Sequence, residues 1–185
     1  MKRLTFMKTV LFLFGELNDL DVDWLISNGS TERVSKGSLL VVEGRPIRAL
    51  YIVLDGSFEV LVSRTERTTI GRMGPGEILG EISFVDSCLP TTTLQARTDA
   101  TVFVLPRERV ASKLKEDPGF AARFYRALAM FLSHRLRVLT LKFGRPQNGA
   151  SPEADTSVEL DQEVLSSVYL AGKRFERMLK HLTLA

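Results

Sequence analysis

The chain has 185 residues, 44% apolar and 25% charged, the balance of a folded protein of one domain or one domain with an appendage, which sets aside a disordered or membrane-embedded chain. It carries 25 Lys and Arg against 22 Asp and Glu, and residues 107–142 hold nine of those bases against three acids. One cysteine, Cys88, leaves no intrachain disulfide and no metal site built on paired thiolates, and fits a reduced, cytoplasmic setting. The early apolar run, residues 10–14, is far shorter than the roughly 20 residues of a membrane span. Lys8 interrupts that stretch and no small-residue cleavage site precedes Glu16, which speaks against a signal peptide.

After a short amphipathic start, Asn18 and Asp19 predict the N-terminus of a helix to about residue 28, with Leu20, Trp24, Leu25 and Ile26 facing inward and Gly29 stopping it. Asp19, Asp21 and Asp23 alternate as in a calcium loop. The glycine and closing glutamate of such a loop are missing at their offsets, so these are acids favoured at a helix start. From residue 31 to 106, short apolar runs are separated by turn signals at Gly37, Gly44, Asp55 with Gly56, Gly71, Gly74 to Gly76 and Gly80, an all-β spacing. The clearest unit joins residues 50–54 to 57–62 through Asp55 and Gly56. Phe58, Val60 and Val62 alternate there with Ser57, Glu59 and Leu61, which predicts a hairpin on a type I′ turn. About eight strands in this span predict a mainly β fold with flanking helices, a jelly roll (double-stranded β-helix) or a similar small barrel.

Helical periodicity returns over 107–116 and in a long segment from 117 to about 143, opened by Asp117 as cap and Pro118 as first helical residue. Its apolar residues Phe120, Phe124, Ala127, Leu128, Phe131, Leu132, Val138 and Leu139 form a broad stripe. Phe124, Phe131 and Val138 recur every seven residues and, with Ala127 and Leu128, would make a homodimer seam; the same face can instead pack on the barrel, or do both. The basic excess here reads as a solvated helix face, with attraction of polyanions as the alternative. Residues 144–156 (GRPQNGASPEADT) read as a linker. A final helix follows over about 158–182, with Glu159, Asp161 and Glu163 first and Lys173, Arg174, Arg177 and Lys180 last, which suits its dipole. The organisation is therefore a domain over 1–143, a linker over 144–156 and a C-terminal helix within 157–185.

The most informative stretch is residues 80–96, GEISFVDSCLPTTTLQA: a glycine before a short helix, a carboxylate at its first position and a hydroxyl cluster closing the loop. With the strands over 51–60 and the helix after Pro106, it resembles the phosphate-binding cassette of cyclic nucleotide-binding domains, G-E-L-(A/G)-L…P-R-A-A-(T/S)-V. These are shared by catabolite-activator-type regulators, regulatory subunits of cyclic-AMP-dependent kinase and cyclic-nucleotide-gated channels. The resemblance covers about residues 15–143. It implies that Glu81 receives the ribose 2′-hydroxyl and that backbone amides matching Ile82 and Ser83 face the cyclic phosphate. The arginine that pairs with that phosphate in the family falls on Pro90 or, with a loop one residue longer, on Thr91; neither is basic. Arg97, on the next strand, does not inherit the role.

The ligand-binding candidates are therefore Gly80, Glu81, Ile82, Ser83, Pro90, Thr91, Thr92 and Thr93. A hydrogen bond to a charged group is worth roughly 1.5–3 kcal/mol, about ten- to a hundredfold in affinity. Its loss predicts weak binding of cyclic AMP or cyclic GMP, a different ligand, or none. No catalytic residue, metal site or cofactor is expected: His134 and His181 fall on predicted helices outside the β region. The expectation is a non-enzymatic regulatory or sensor domain, with a degenerate domain serving as a protein-interaction adaptor as the alternative. A homodimer through the long helix and a protein partner for the C-terminal helix are the expected contacts, without a membrane. A transcriptional regulator would need a winged helix-turn-helix. Val164, Val168, Leu170, Phe175 and Leu179 have a passable rhythm, but Tyr169 holds the turn position and only 42 residues follow Phe143, so DNA is not an expected partner.

Overall fold

A computed structural model describes residues 8–63, 67–143 and 162–183. Helices α1 (Lys8–Glu16) and α2 (Asp19–Asn28) lead into strands β1 (Ser30–Val34), β2 (Leu39–Val41), β3 (Ala49–Asp55), β4 (Phe58–Ser63), β5 (Arg67–Met73) and β6 (Ile78–Leu79). The short helix α3 (Glu81–Asp86), strands β7 (Thr93–Ala96) and β8 (Ala100–Pro106), and helices α4 (Arg107–Glu116), α5 (Pro118–Phe143) and α6 (Gln162–Thr183) follow. The strands form two antiparallel four-stranded sheets, ordered β1-β8-β3-β6 and β2-β7-β4-β5. This is the expected jelly roll with flanking helices.

One sheet is covered on both faces. Val53, Leu79 and Val102 point into the roll, against Phe58, Val60 and Leu94 of the second sheet. Leu50, Ile52, Ile78, Phe103 and Leu105 point the other way, into a cluster shared with α1, α2, α4, α5 and α6. Double coverage explains why β3 and β8 are nearly continuous apolar runs, whereas Thr68, Thr69 and Ile70 on β5, at the end of the second sheet, are exposed. Gly29, the stop of α2, has ordinary extended backbone (φ −106°); a Cβ there would meet the Phe103 ring, so its role is close approach of α2 to the roll.

The hairpin expected around Asp55 and Gly56 is not formed. β3 pairs with β8 and β6, β4 with β5 and β7, so this turn carries the chain from one sheet to the other. Gly56 turns the corner at φ 84°, where a Cβ would lie 2.6 Å from the Ala100 backbone. A register shift between Val60 and Leu61 also breaks the expected alternation, burying Leu61 and leaving Val62 half-buried.

The helix starts are as expected. The Asn18 side chain accepts the Asp21 N–H and the Asp21 carboxylate accepts the Asn18 N–H, both at 2.9 Å, a reciprocal cap. The Asp117 carboxylate accepts the Phe120 N–H at 2.8 Å. Leu20, expected inward, is exposed; Val22 and Leu25 form the inner face of α2. Of the roles expected for the α5 stripe, packing on the chain itself is the one seen. Phe124, Ala127, Leu128 and Phe131 are buried inside the chain, Phe124 edge-on to Phe84 and, with Ala127 and Leu128, in the cluster that includes Leu13 of α1. The side chain of Val138 lies outside the described residues.

Three bases of α5 tie it to other elements: Arg123 to Asp21, Arg126 to Glu16 and Arg135 to Glu81. Arg126 and Arg137 are exposed, so the expected solvated basic face holds in part. α6 continues unbroken through Tyr169 and lies on α1 and α2. Ala171, Phe175 and Met178 are buried there, Arg174 donates to Asp19 and to the Phe14 carbonyl, and Arg177 donates to Asp23. The linker, and the first residues of the expected C-terminal helix up to 161, lie outside the described residues.

Candidate ligand-binding cassette

β6 pairs with β3 and delivers Gly80 at the head of α3. Gly80 has φ 88°, and a Cβ there would stand 3.1 Å from the Ala49 carbonyl oxygen, so both torsion and space select glycine. The α3 that follows has an inner side of Glu81, Ser83 and Phe84 and an outer side with Ile82 and Val85 exposed. Arg107, at the start of α4, fixes the other end of α3: it donates to the Ser83 carbonyl at 2.7 Å and to Ser87 Oγ at 3.1 Å, with its guanidinium over the Phe84 ring. Ser87 adopts the left-handed region (φ 58°), and the Cys88 N–H closes onto the Asp86 carboxylate at 2.8 Å.

The sequence candidates divide by what they touch. Pro90 is buried and its carbonyl accepts the Gly44 N–H at 2.9 Å; Thr93, at the start of β7, accepts the Glu43 N–H on its hydroxyl at 3.0 Å. Both are spent on anchoring the loop before β3. Thr92 is half-buried and Thr91 exposed, so the three threonines do not turn alike into one cluster. Arg97 pairs with Glu59 at 3.5 Å and is not directed at the cassette.

Glu81 is the group with unusual surroundings. Its side chain is 4% exposed, and one carboxylate oxygen, Oε1, accepts from Nη1 of Arg135 at 2.5 Å. Burial pushes its pKa up, outweighing the attraction of Arg135. Arg135 reaches the site from α5, its guanidinium 5.9 Å from the centre of the Phe131 ring one turn earlier. Neither Arg135 nor Arg107 was found by sequence reasoning. The only signal was the basic excess of residues 107–142, which does not say where each base points. Among the described residues no cluster of His, Cys, Asp or Glu could hold a metal ion. A surface cleft of about 290 Å³ between α2 and α4, lined in part by Trp24 and Arg109, shares no residue with the cassette.

The family model described as cyclic nucleotide-binding domain matches residues 31–117. Residues 31–117 belong to that family. Cyclic nucleotide-binding domains are regulatory modules, and this one is similar to the cGMP-dependent protein kinase egl-4 of Caenorhabditis briggsae, 37% identical over 75 residues, which are 40% of this chain and 10% of the kinase. It is also similar to lysophospholipase nte1 of Aspergillus oryzae, 26% identical over 167 residues, 89% of this chain and 10% of that protein. The chain thus spans about a tenth of the length of these curated relatives.

Among solved structures, a cyclic nucleotide-binding domain from Methylobacillus flagellatus has a TM-score of 0.65 at 21% identity, covering 75% of this chain and 82% of that one. The catabolite activator protein of Thermus thermophilus has a TM-score of 0.58 at 22% identity over 93% of this chain and 86% of that one. A triple variant of the regulatory subunit of a cAMP-independent protein kinase A from Trypanosoma brucei, bound to cAMP, has a TM-score of 0.51 at 20% identity, covering 65% of this chain and 48% of that one. These likenesses establish the fold. Among the described residues no helix is long and apolar enough to cross a membrane.

Proposed function

We propose that this chain is a non-enzymatic, cytoplasmic regulatory sensor whose cassette takes a cyclic nucleotide weakly. The observation that carries the reading is Glu81: a buried carboxylate at the head of α3, in a segment of the family, with its partner on the helix behind the roll. A ligand that bonds Glu81 competes with or rearranges its contact to α5, which is how occupancy of the cassette reaches the helices. Weakness follows from Pro90 and Thr91 at the two candidate positions of the family arginine, and from Glu81 being already engaged. The adaptor alternative would use α5 and residues 157–185; the described part of that tail, α6, has its apolar face spent on α1 and α2.

The test is a thermal-unfolding series with cyclic AMP and cyclic GMP near 1 mM, on the wild type and Thr91→Arg. Thr91 is exposed, so an arginine fits there without repacking. The Trypanosoma variant bound to cAMP carries a threonine-to-arginine change among its three. The wild type is expected to shift by no more than about 2 °C, and Thr91→Arg to bind about tenfold tighter or more. A wild-type shift of roughly 5–10 °C would overturn weak binding. Silence from both proteins would favour the adaptor.

A further inference from the structure

We propose that Arg135 on α5 is the phosphate-pairing cation of this domain, supplied from the helix behind the roll in place of the arginine that the cassette loop lacks. The inference rests on the cyclic nucleotide reading above. Arg135 donates one hydrogen bond, from Nη1 to one oxygen of Glu81. A guanidinium has five N–H donors in a planar fork. Nε and Nη2 of Arg135 have no hydrogen-bond partner among the described residues, and about a third of the side chain (32%) is exposed. The guanidinium lies over the Phe131 ring, 5.9 Å from its centre, and beside the Glu81 carboxylate.

The ligand's chemistry makes that position matter. In a 3′,5′-cyclic nucleotide the 2′-hydroxyl and the cyclic phosphate sit on adjacent ring carbons. A hydroxyl delivered to Glu81 therefore brings the phosphate beside whatever cation touches Glu81. Without a cation, two anions would face each other; with Arg135 bridging them, one guanidinium serves the carboxylate with one N–H and the phosphate with others. Two other guanidinium groups are committed elsewhere: Arg107 to Ser83 and Ser87, Arg97 to Glu59. Arg45, next to the Gly44 that anchors Pro90, borders the cassette from the other end of the loop and is the natural control. A cation shared with a buried carboxylate attracts phosphate less than a dedicated one, which keeps the proposal consistent with weak binding.

The experiment titrates the full chain with cyclic AMP and with adenosine, which has the hydroxyls but no phosphate. Wild type, Arg135→Gln, Arg135→Lys and Arg45→Gln are compared. Glutamine can keep a hydrogen bond to Glu81 without charge; lysine keeps the charge without the fork. The expected result is cyclic AMP affinity lowered about tenfold or more by Arg135→Gln and severalfold by Arg135→Lys, with adenosine affinity unchanged or higher. If Arg135→Gln fails to fold, the lysine variant alone decides, because the loss must appear with cyclic AMP and not with adenosine. Arg135→Gln binding cyclic AMP as well as or better than wild type overturns the proposal and leaves Arg135 a plug on Glu81. Equal losses for both ligands, or a cyclic AMP loss in Arg45→Gln instead, overturn it too. A wild type that binds neither compound overturns the sensor reading itself and the proposal with it, an outcome distinct from the others because the variants then play no part.

Discussion

The N-terminal helices and the cassette each present a buried carboxylate to an arginine of α5, and they do so differently. Asp21 receives two bonds from Arg123, at 2.6 and 2.9 Å, and also closes the cap of α2 by accepting the Asn18 N–H. Glu81 receives a single side-chain bond, from Nη1 of Arg135, besides its own backbone N–H, and the Arg135 side chain is about one-third exposed. The carboxylates are equally buried, each side chain 4% exposed. The difference lies in how many of their lone pairs the protein itself satisfies. A fully satisfied buried pair fixes two elements together; a partly satisfied one is a place where a ligand can complete the set.

The largest expected effect is on the structural pair. Arg123→Ala leaves Asp21 buried without its guanidinium, and should cost roughly 3 kcal/mol, the low end for a broken buried pair because Arg123 is itself one-third exposed. In thermal unfolding this lowers the midpoint by roughly 6–12 °C. Arg135→Ala in the same assay should cost no more than half as much, because Glu81 can take up a proton once its partner is gone. Equal costs would erase the distinction between the two sites.

pH separates them further. Glu81 holds its proton to higher pH in the folded chain than in the unfolded one, because burial disfavours its charge. Between the ordinary carboxyl value and its raised value, folding takes up a proton, so this group's contribution to stability falls as pH rises through that window. Glu81→Gln should remove that component from a stability-against-pH curve; a curve of unchanged slope in the window would refute it. Asp19, beside Arg174, and Asp117, bonded to the Phe120 amide, are shifted the opposite way, and their contributions are lost as pH falls. The smallest effect belongs to the third tie of α5. Arg126, 72% exposed and 3.0 Å from Glu16, should change stability by about 0.5 kcal/mol or less when replaced by alanine, as urea unfolding would show.

Local chemistry made much of this molecule legible in its sequence. Asn18, Gly80, Asp117 and Pro118 mark helix ends through bonds and torsions spanning a few residues, and those elements stand where they were expected. Asp55 and Gly56 misled because a tight turn between two apolar runs looks the same whether the runs pair with each other or leave for different sheets. The stripe on α5 was visible, but periodicity does not say whether a helix face meets a second copy or, as here, the chain's own helices and cassette. The cassette's carboxylate was readable from its motif. Its partner was not, since Arg135 lies 54 residues away and only tertiary packing brings the two together.

The contact of α6 with α1 and α2 joins residues more than 150 positions apart: Arg174 reaches the Phe14 carbonyl of α1 and Asp19 at the head of α2. During synthesis the two sheets can close long before α6 has left the ribosome, and until then the apolar side of α1 that Phe175 and Met178 cover is open to whatever is near. The roll sets when its own strands are made. Only the seat of α6 on α1 and α2 waits for residues 162–183, so a nascent chain passes through a state in which a chaperone, or a second chain at the same stage, can occupy it.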